Sequence, residues 1–359
     1  MSLDQTIAVI GAGNLGSALL QGLRKDPEST PAALIASDVS EQRLADLAAR
    51  LPGLETTQDN RAAVEQADIV ILAVKPHFIS HVVVEISDVL RRDQLLISFA
   101  AAVPIRLIET RLDHPQPIIR AMPNIAMTVH AAATGLCGNA HATSAHRTLA
   151  QSIFATVGEA VFVDEAQMHA VTGLSGSGPA YVFTMIEALA AGGVRMGLTP
   201  AAATKLAAQT LLGAAKMVIE GGQHPAVLRD QVTTPGGTTI AGLQELEVGA
   251  VRGALINTVQ AATERSVEAH PNARRQRRVL ARIRPAANAP AAEEEVVAGQ
   301  VDRQQRAGIR QPQQELSVKR QRQWGHPGFQ AATHHQQGQR HGRDARNQDR
   351  SFCERFVQN

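Results

Sequence analysis

Aromatic side chains are scarce in this chain: its 359 residues include one Trp, one Tyr and eight Phe. Packing falls to aliphatic residues, and the heavy use of Ala and Gly suits helices that approach one another closely. Cysteine is nearly absent. Cys137 and Cys353 lie far apart in unlike stretches, so neither a disulfide framework nor a zinc site is indicated, and a reducing cytoplasm is the default. His77 and His81 have a metal-binding spacing, but no third ligand stands near them, so they read as a surface pair. No apolar run reaches the ~20 residues of a membrane span. Nor does the start of the sequence read as a signal peptide. The opening MSLDQTIAVIGAG carries an acid where such a peptide is basic, its apolar run is short, and it reads as a first β-strand.

The length permits two domains with substantial cores. The formal charge is +2, unevenly spread. Residues 271–359 hold about 17 Lys+Arg against about 8 Asp+Glu, so the chain before them is net acidic. A nucleic-acid partner would have to rest on that last stretch alone.

What is present begins with TIAVI (6–10), a β-branched strand that runs into GAGNLG and then an Ala- and Leu-rich helix. Strand, glycine turn, helix is the context a dinucleotide fingerprint needs. Gly11 makes the tight turn, Gly13 admits a pyrophosphate and Gly16 lets helix and strand pack closely, with Ala12, Asn14 and Leu15 completing the loop. The second strand, ALIAS (33–37), should decide between NADH and NADPH at its tip. Ser37, then Ser40 and Arg43 within one helical turn, offer a hydroxyl and a guanidinium to a 2′-phosphate. Asp38 argues the other way, because an acid there accepts the ribose hydroxyl and repels phosphate. NADPH is the preferred reading, with NADH still possible.

Alternation continues through helices at 41–50 and 60–66, a strand at 67–74 apolar throughout, a helix at 77–90, a strand at 95–101, a helix at 104–112 and a strand at 117–122. Ligands of open α/β sheets bind beyond the carboxyl ends of strands, which puts Ala73, Val74, Lys75 and Pro76 beside the cofactor. From about residue 165 the pattern becomes helical. GLSGSGPAYVF reads as a glycine/serine turn into a helix, a second helix spans 199–221 from a Thr-Pro start to a double glycine, and a last one lies near 249–268. These helices are apolar on several faces, more than one small domain can cover, and a second copy is the remedy.

Between them lies DQVTTPGGTTIAGL (230–243). Pro235 and the two glycines make a turn, and Thr238 and Thr239 fall where N-cap hydroxyls fall. Free backbone N–H groups at a helix start, flanked by hydroxyls, can bind a small carboxylate, although the bland capping role accounts for the same residues.

Taken in order, GAGNLG at 11, ILAVKP at 71, IIRAMPN at 118, GLSGSGPAYVF at 173 and DQVTTPGGTTIAGL at 230 resemble the pyrroline-5-carboxylate reductases, over residues 6 to about 266. Ile125-Ala126 departs from the family, which usually has Thr-Pro there. The resemblance implies an α/β fold: an N-terminal Rossmann-like dinucleotide-binding domain (1–164) followed by an all-α dimerisation and substrate domain (165–268). It implies reduction of a cyclic imine carboxylate to L-proline, the last step of proline biosynthesis. It gives the Thr239 hydroxyl to the ring nitrogen as the catalytic contact. The Thr234 hydroxyl and the Gly236–Gly237–Thr238 segment go to the carboxylate, and Asn60, Ala73 and Lys75 to the ribose and nicotinamide. It also implies intertwined homodimers, sometimes built into decamers, with substrate near the subunit interface.

A β-hydroxyacid dehydrogenase shares the two-domain plan and is the alternative enzyme. Its acid/base lysine would fall where Tyr181 stands, after Gly173, Gly176 and Gly178. Carbonyl reduction needs that proton donor, and a readily protonated imine does not. A non-catalytic nucleotide-binding protein with a basic tail is the third reading. The tail itself, 269–359, is rich in Arg, Gln, Ala, His and Pro without apolar periodicity. A shifted reading frame accounts for it best, then a disordered appendage, with a nucleic-acid arm least favoured.

Overall fold

The computed structural model describes residues 4–25 and 31–269. The tail expected over 269–359 lies, apart from Ala269, outside the described residues.

Eight strands form one sheet. The first part runs β1 (Thr6–Ile10), α1 (Asn14–Lys25), β2 (Ala33–Ser37), α2 (Glu41–Arg50), β3 (Glu55–Thr57), α3 (Asn60–Gln66), β4 (Ile69–Leu72), α4 (Ile79–Ile86), β5 (Leu95–Ser98), α5 (Ile105–Glu109) and β6 (Ile118–Met122). It is completed by β7 (Ala132–Gly138), α6 (Ser144–Ala155) and β8 (Gly158–Phe162). Spatial order is β3-β2-β1-β4-β5-β6-β7-β8. All neighbours are parallel except β6 and β7. The central strands β1, β2, β4 and β5 are almost wholly buried because helices cover both faces, while edge strands β3 and β8 are partly exposed. Ile7, Val9, Ile69 and Ile71 face a core closed by α1, α2 and α6 through Leu19, Leu20, Leu47 and Phe154. Ala8, Ile10, Val70 and Leu72 face the opposite core, with Val64 of α3 and Ile79, Val83 and Ile86 of α4.

After β8 the described chain is helical: α7 (Met168–Val171), α8 (Gly178–Arg195), α9 (Pro200–Gly221), α10 (Pro225–Gln231), α11 (Thr238–Val248) and α12 (Val251–Glu268). Thr199 caps α9, its hydroxyl accepting from the Ala202 amide, and left-handed Gly222 ends that helix. α8 packs along α9, while α12 returns against α7 and the segment after it. That segment, Thr172–Gly176, is a π-helical turn and not the plain glycine/serine turn read from the sequence. Gly173 allows it to lie on α12, since a Cβ there would stand 2.3 Å from Thr263 Oγ1. Val267, just past the end of the family resemblance, is buried.

The helical part keeps a large apolar surface in the open. Phe183 of α8, Leu212 and Ile219 of α9 and Ile256 of α12 are each more than half exposed. Such an extent of bare apolar surface marks an interaction face. Among the described residues, no helix is long and apolar enough to cross a membrane.

Candidate active site

The glycine loop is built as its residue types require. Gly11 sits at φ +107, where a Cβ would press on the Ala73 carbonyl at 2.9 Å. Gly16 lies beneath the same turn, its missing Cβ only 2.0 Å from the Gly11 oxygen, so helix and strand touch through bare backbone. Over Gly13 there is nothing within 4 Å. The amides of Asn14, Leu15 and Gly16 in the first turn of α1 have no acceptor among the described residues. An open cradle over Gly13 beside three free N–H groups fits a dinucleotide pyrophosphate.

At the tip of β2 the Ser37 side chain turns inward. Ser37 is fully buried, and its hydroxyl donates to Asn60 Oδ1 at 2.7 Å. The strand's alternation turns this side chain into the sheet's helical cover. Asn60 in turn donates to Glu85 Oε2 at 3.0 Å, which holds the Asn60 amide in one orientation. Asp38 is drawn inward, and Arg43 of α2 stands exposed beside it. Asp38 and Glu85 carry architecture that the motif reading missed. An acid one step beyond a strand tip and a glutamate on the next helix were visible as residue types, without their direction.

Beyond β4, the Ala73 amide donates to the Ile10 oxygen at 2.8 Å, which ties this strand end to the glycine loop. Ala73 and Val74 are half-buried and Lys75 and Pro76 exposed, with Lys75 at the N-cap of a 3₁₀ turn over Pro76–Phe78. The next strand end carries Asn124, nine-tenths buried. Its Nδ2 donates to the Ser175 carbonyl of the π turn at 3.0 Å, and its Oδ1 accepts from the Ala126 amide at 3.2 Å. A proline at 126 would lack that donor, so the departure at Ile125-Ala126 gives Asn124 a second anchor.

The PGGTT stretch differs in one respect from the sequence reading. The N-cap of α11 is Gly237, with no capping side chain, and Thr238 and Thr239 are the first two helical residues. Pro235 and Gly236 (φ +65) make a tight turn closed by the Gly237 amide donating to the Thr234 oxygen at 3.1 Å. The Thr234 hydroxyl folds over Gly237, 2.3 Å from where a Cβ would be. The amides of Thr238, Thr239 and Ile240 consequently have no acceptor among the described residues. Thr234, Gly236 and Thr238 are exposed, Gly237 and Thr239 half-exposed. This turn and the glycine loop are built from different elements. Tyr181, at the position of the rival family's lysine, spends its hydroxyl on the Gly173 carbonyl at 3.2 Å.

Comparison with known proteins follows this division. A family described as pyrroline-5-carboxylate reductase dimerisation matches residues 165–269, and one described as NADP oxidoreductase, coenzyme F420-dependent, matches residues 6–102. A pyrroline-5-carboxylate reductase of Methanosarcina acetivorans is 48% identical over 265 residues, 74% of this chain and 98% of that protein. The chain belongs to the pyrroline-5-carboxylate reductase family. The Escherichia coli pyrroline-5-carboxylate reductase is 38% identical over 264 residues, 74% of this chain and 98% of its own length. Among solved structures, that of a Coxiella burnetii pyrroline-5-carboxylate reductase superposes with TM-score 0.72 at 38% identity, covering 75% of this chain and 100% of that one. The Plasmodium falciparum pyrroline carboxylate reductase with NADP bound gives 0.64 at 29% identity, covering 74% and 98%. As in its family, the α/β part of this oxidoreductase precedes a helical part that carries a homo-oligomerisation surface.

Proposed function

We propose that this chain reduces 1-pyrroline-5-carboxylate to L-proline with NADPH, in the cytoplasm, as a homodimer whose helical domains (165–268) pack together and whose nucleotide domain is 1–164. A nicotinamide dinucleotide, when bound, supplies the hydride. Gly11 to Gly16 hold its pyrophosphate, while Asn60 and the Ala73–Pro76 strand end flank its ribose and nicotinamide.

The observation that carries the substrate is the uncapped start of α11. Three N–H groups at the positive end of a helix dipole, with the Thr234 hydroxyl over Gly237, form a receptor for one carboxylate. Thr239, the second helical residue, carries the middle one of those three amides, and its hydroxyl hydrogen-bonds the ring nitrogen. Because an imine is readily protonated near neutral pH, the chain has to orient it more than to acidify it. No His or carboxylate pair is needed, and Tyr181 in place of a lysine fits an imine better than a carbonyl. A second copy laid on the exposed helical face covers its bare apolar side chains.

The test compares 1-pyrroline-5-carboxylate with 1-pyrroline, the same ring without the carboxylate. The expected result is a KM for the bare ring higher by about a hundredfold, as befits a lost charge-assisted carboxylate contact. Equal KM values would remove the carboxylate from the account.

A further inference from the structure

At the tip of β2, the acid that in a dinucleotide fold reads the ribose hydroxyl is turned the other way. Asp38 Oδ2 accepts from the Ala12 amide, inside the glycine loop, at 2.8 Å. Its Oδ1 accepts from the Ser40 amide at 2.9 Å, and the carboxylate side chain is only 8% exposed. An acid that discriminates against a 2′-phosphate has to present its charge outward. This one spends it on two backbone donors.

The loop it grips has one other tie to β2. β1 and β2 pair in parallel register as far as Ile10 and Ser37, and the Gly11 amide donates to the Ser37 oxygen at 2.7 Å. Beyond that bond the chain enters the positive-φ turn at Gly11, where nothing in the strand ladder fixes it. The next restraints are the Asp38–Ala12 contact and the Ser17 hydroxyl, which donates to the Ala12 oxygen at 2.9 Å; of the two, the carboxylate–amide bond is among the stronger kinds.

Arg43 completes the arrangement. Its guanidinium stands 3.9 Å from Asp38 Oδ1 with 62% of the side chain exposed, at the long limit of an ion pair. Its donors are free to turn to an anion at the strand tip, and a guanidinium suits a phosphate there. With the Ser37 hydroxyl committed to Asn60, Arg43 offers an exposed cation beside that position.

We propose that Asp38 is a positioning residue that clamps the glycine loop through the Ala12 amide, and that Arg43 sets the choice between NADPH and NADH. The proposal rests on the dinucleotide-binding reading above.

The experiment titrates the full-length protein with NADPH and with NADH, following nicotinamide fluorescence, in wild type, Asp38→Ala, Asp38→Asn and Arg43→Ala. Amide hydrogen exchange across residues 10–17 is followed without ligand, and a melting curve of each variant shows that it folds. Asp38→Ala should weaken both dinucleotides by about tenfold or more, the loss of one charge-assisted bond, with their ratio nearly constant. It should also speed exchange in the loop. Asp38→Asn, which keeps one acceptor, should recover part of both effects. Arg43→Ala should weaken NADPH by about tenfold while NADH changes little. If Asp38→Ala weakens NADH and tightens NADPH, Asp38 is the discriminator and the proposal is overturned. Unchanged affinities and exchange in Asp38→Ala overturn it as well, as does an Arg43→Ala variant with an unaltered preference. A wild-type chain that binds neither dinucleotide defeats the underlying reading and this one with it. A chain that binds them but turns over no imine defeats only the substrate assignment.

Discussion

Gly16 lies directly against the Gly11 carbonyl, so that a single methyl group on Gly16 would have to occupy space 2.0 Å from that oxygen. Neither partner can yield without opening the turn that forms the cradle. Gly16→Ala should cost about 1–3 kcal/mol of stability, the usual range for overpacking, and weaken dinucleotide binding about tenfold. Gly13→Ala separates the two effects. It has open space on the protein side, so its melting temperature should stay near wild type while dinucleotide affinity falls. A melting curve and a dinucleotide titration on both variants check this.

The same reasoning applies at the start of α11. A methyl group on Gly237 would displace the Thr234 hydroxyl, so Gly237→Ala should raise the KM for the imine. Thr239→Ala should lower kcat by about a hundredfold, the low end for one positioned proton donor, and leave cofactor affinity unchanged. Steady-state kinetics with a parallel dinucleotide titration distinguish the two. A Thr239→Ala enzyme with wild-type kcat would take that hydroxyl out of the chemistry.

How much of this was legible beforehand varies with the physics. The strand–loop–helix start was readable because three glycines at fixed spacing leave few alternatives, and the helix over 41–50 has the bounds the structure gives to α2. β7 and β8 escaped notice. The first contains two glycines and pairs antiparallel against the run of the sheet, so neither apolar continuity nor βαβ rhythm announced it. Ser37 and Asp38 were picked out by position, but which way each side chain turns depends on Asn60 and Ala12, distant in sequence. The uncapped first turn of α11 was misread for a related reason. Thr after Gly resembles a cap, whereas Gly237 itself takes the extended cap conformation.

The exposed apolar face of the helical part predicts assembly. Leu212→Glu on α9 places a charge where a second copy would desolvate it. Light scattering after size-exclusion chromatography should show the wild type as a homodimer or a larger homo-oligomer and the variant shifted to monomer, with turnover falling along with it. A variant that stays assembled would place the interface elsewhere.

Cys137 offers a pH test of the nucleotide-binding core. Burial, with the Glu165 charge adding to it, pushes its thiol from the ordinary 9.0 up to about 12. In the unfolded chain the thiol ionises near 9.0 while the folded one holds its proton. Ionisation therefore favours the unfolded state, and stability falls as pH rises through the window between those values. Below it the contribution is constant. Urea unfolding should show a steeper loss above pH 9 in the natural protein than in Cys137→Ala. In a Cys353→Ser background, the remaining thiol should resist alkylation at neutral pH until urea opens the fold.

The central claim is tested most directly by mixing purified full-length protein with NADPH and 1-pyrroline-5-carboxylate, following NADPH oxidation and identifying the product. The assay is repeated on a chain ending after Ala269, a cut that keeps buried Val267 in place. The account predicts oxidation that requires the imine, one L-proline formed per NADPH consumed, and retention of that activity in the shortened chain. A full-length protein that binds NADPH yet oxidises none of it when the imine is added would contradict it.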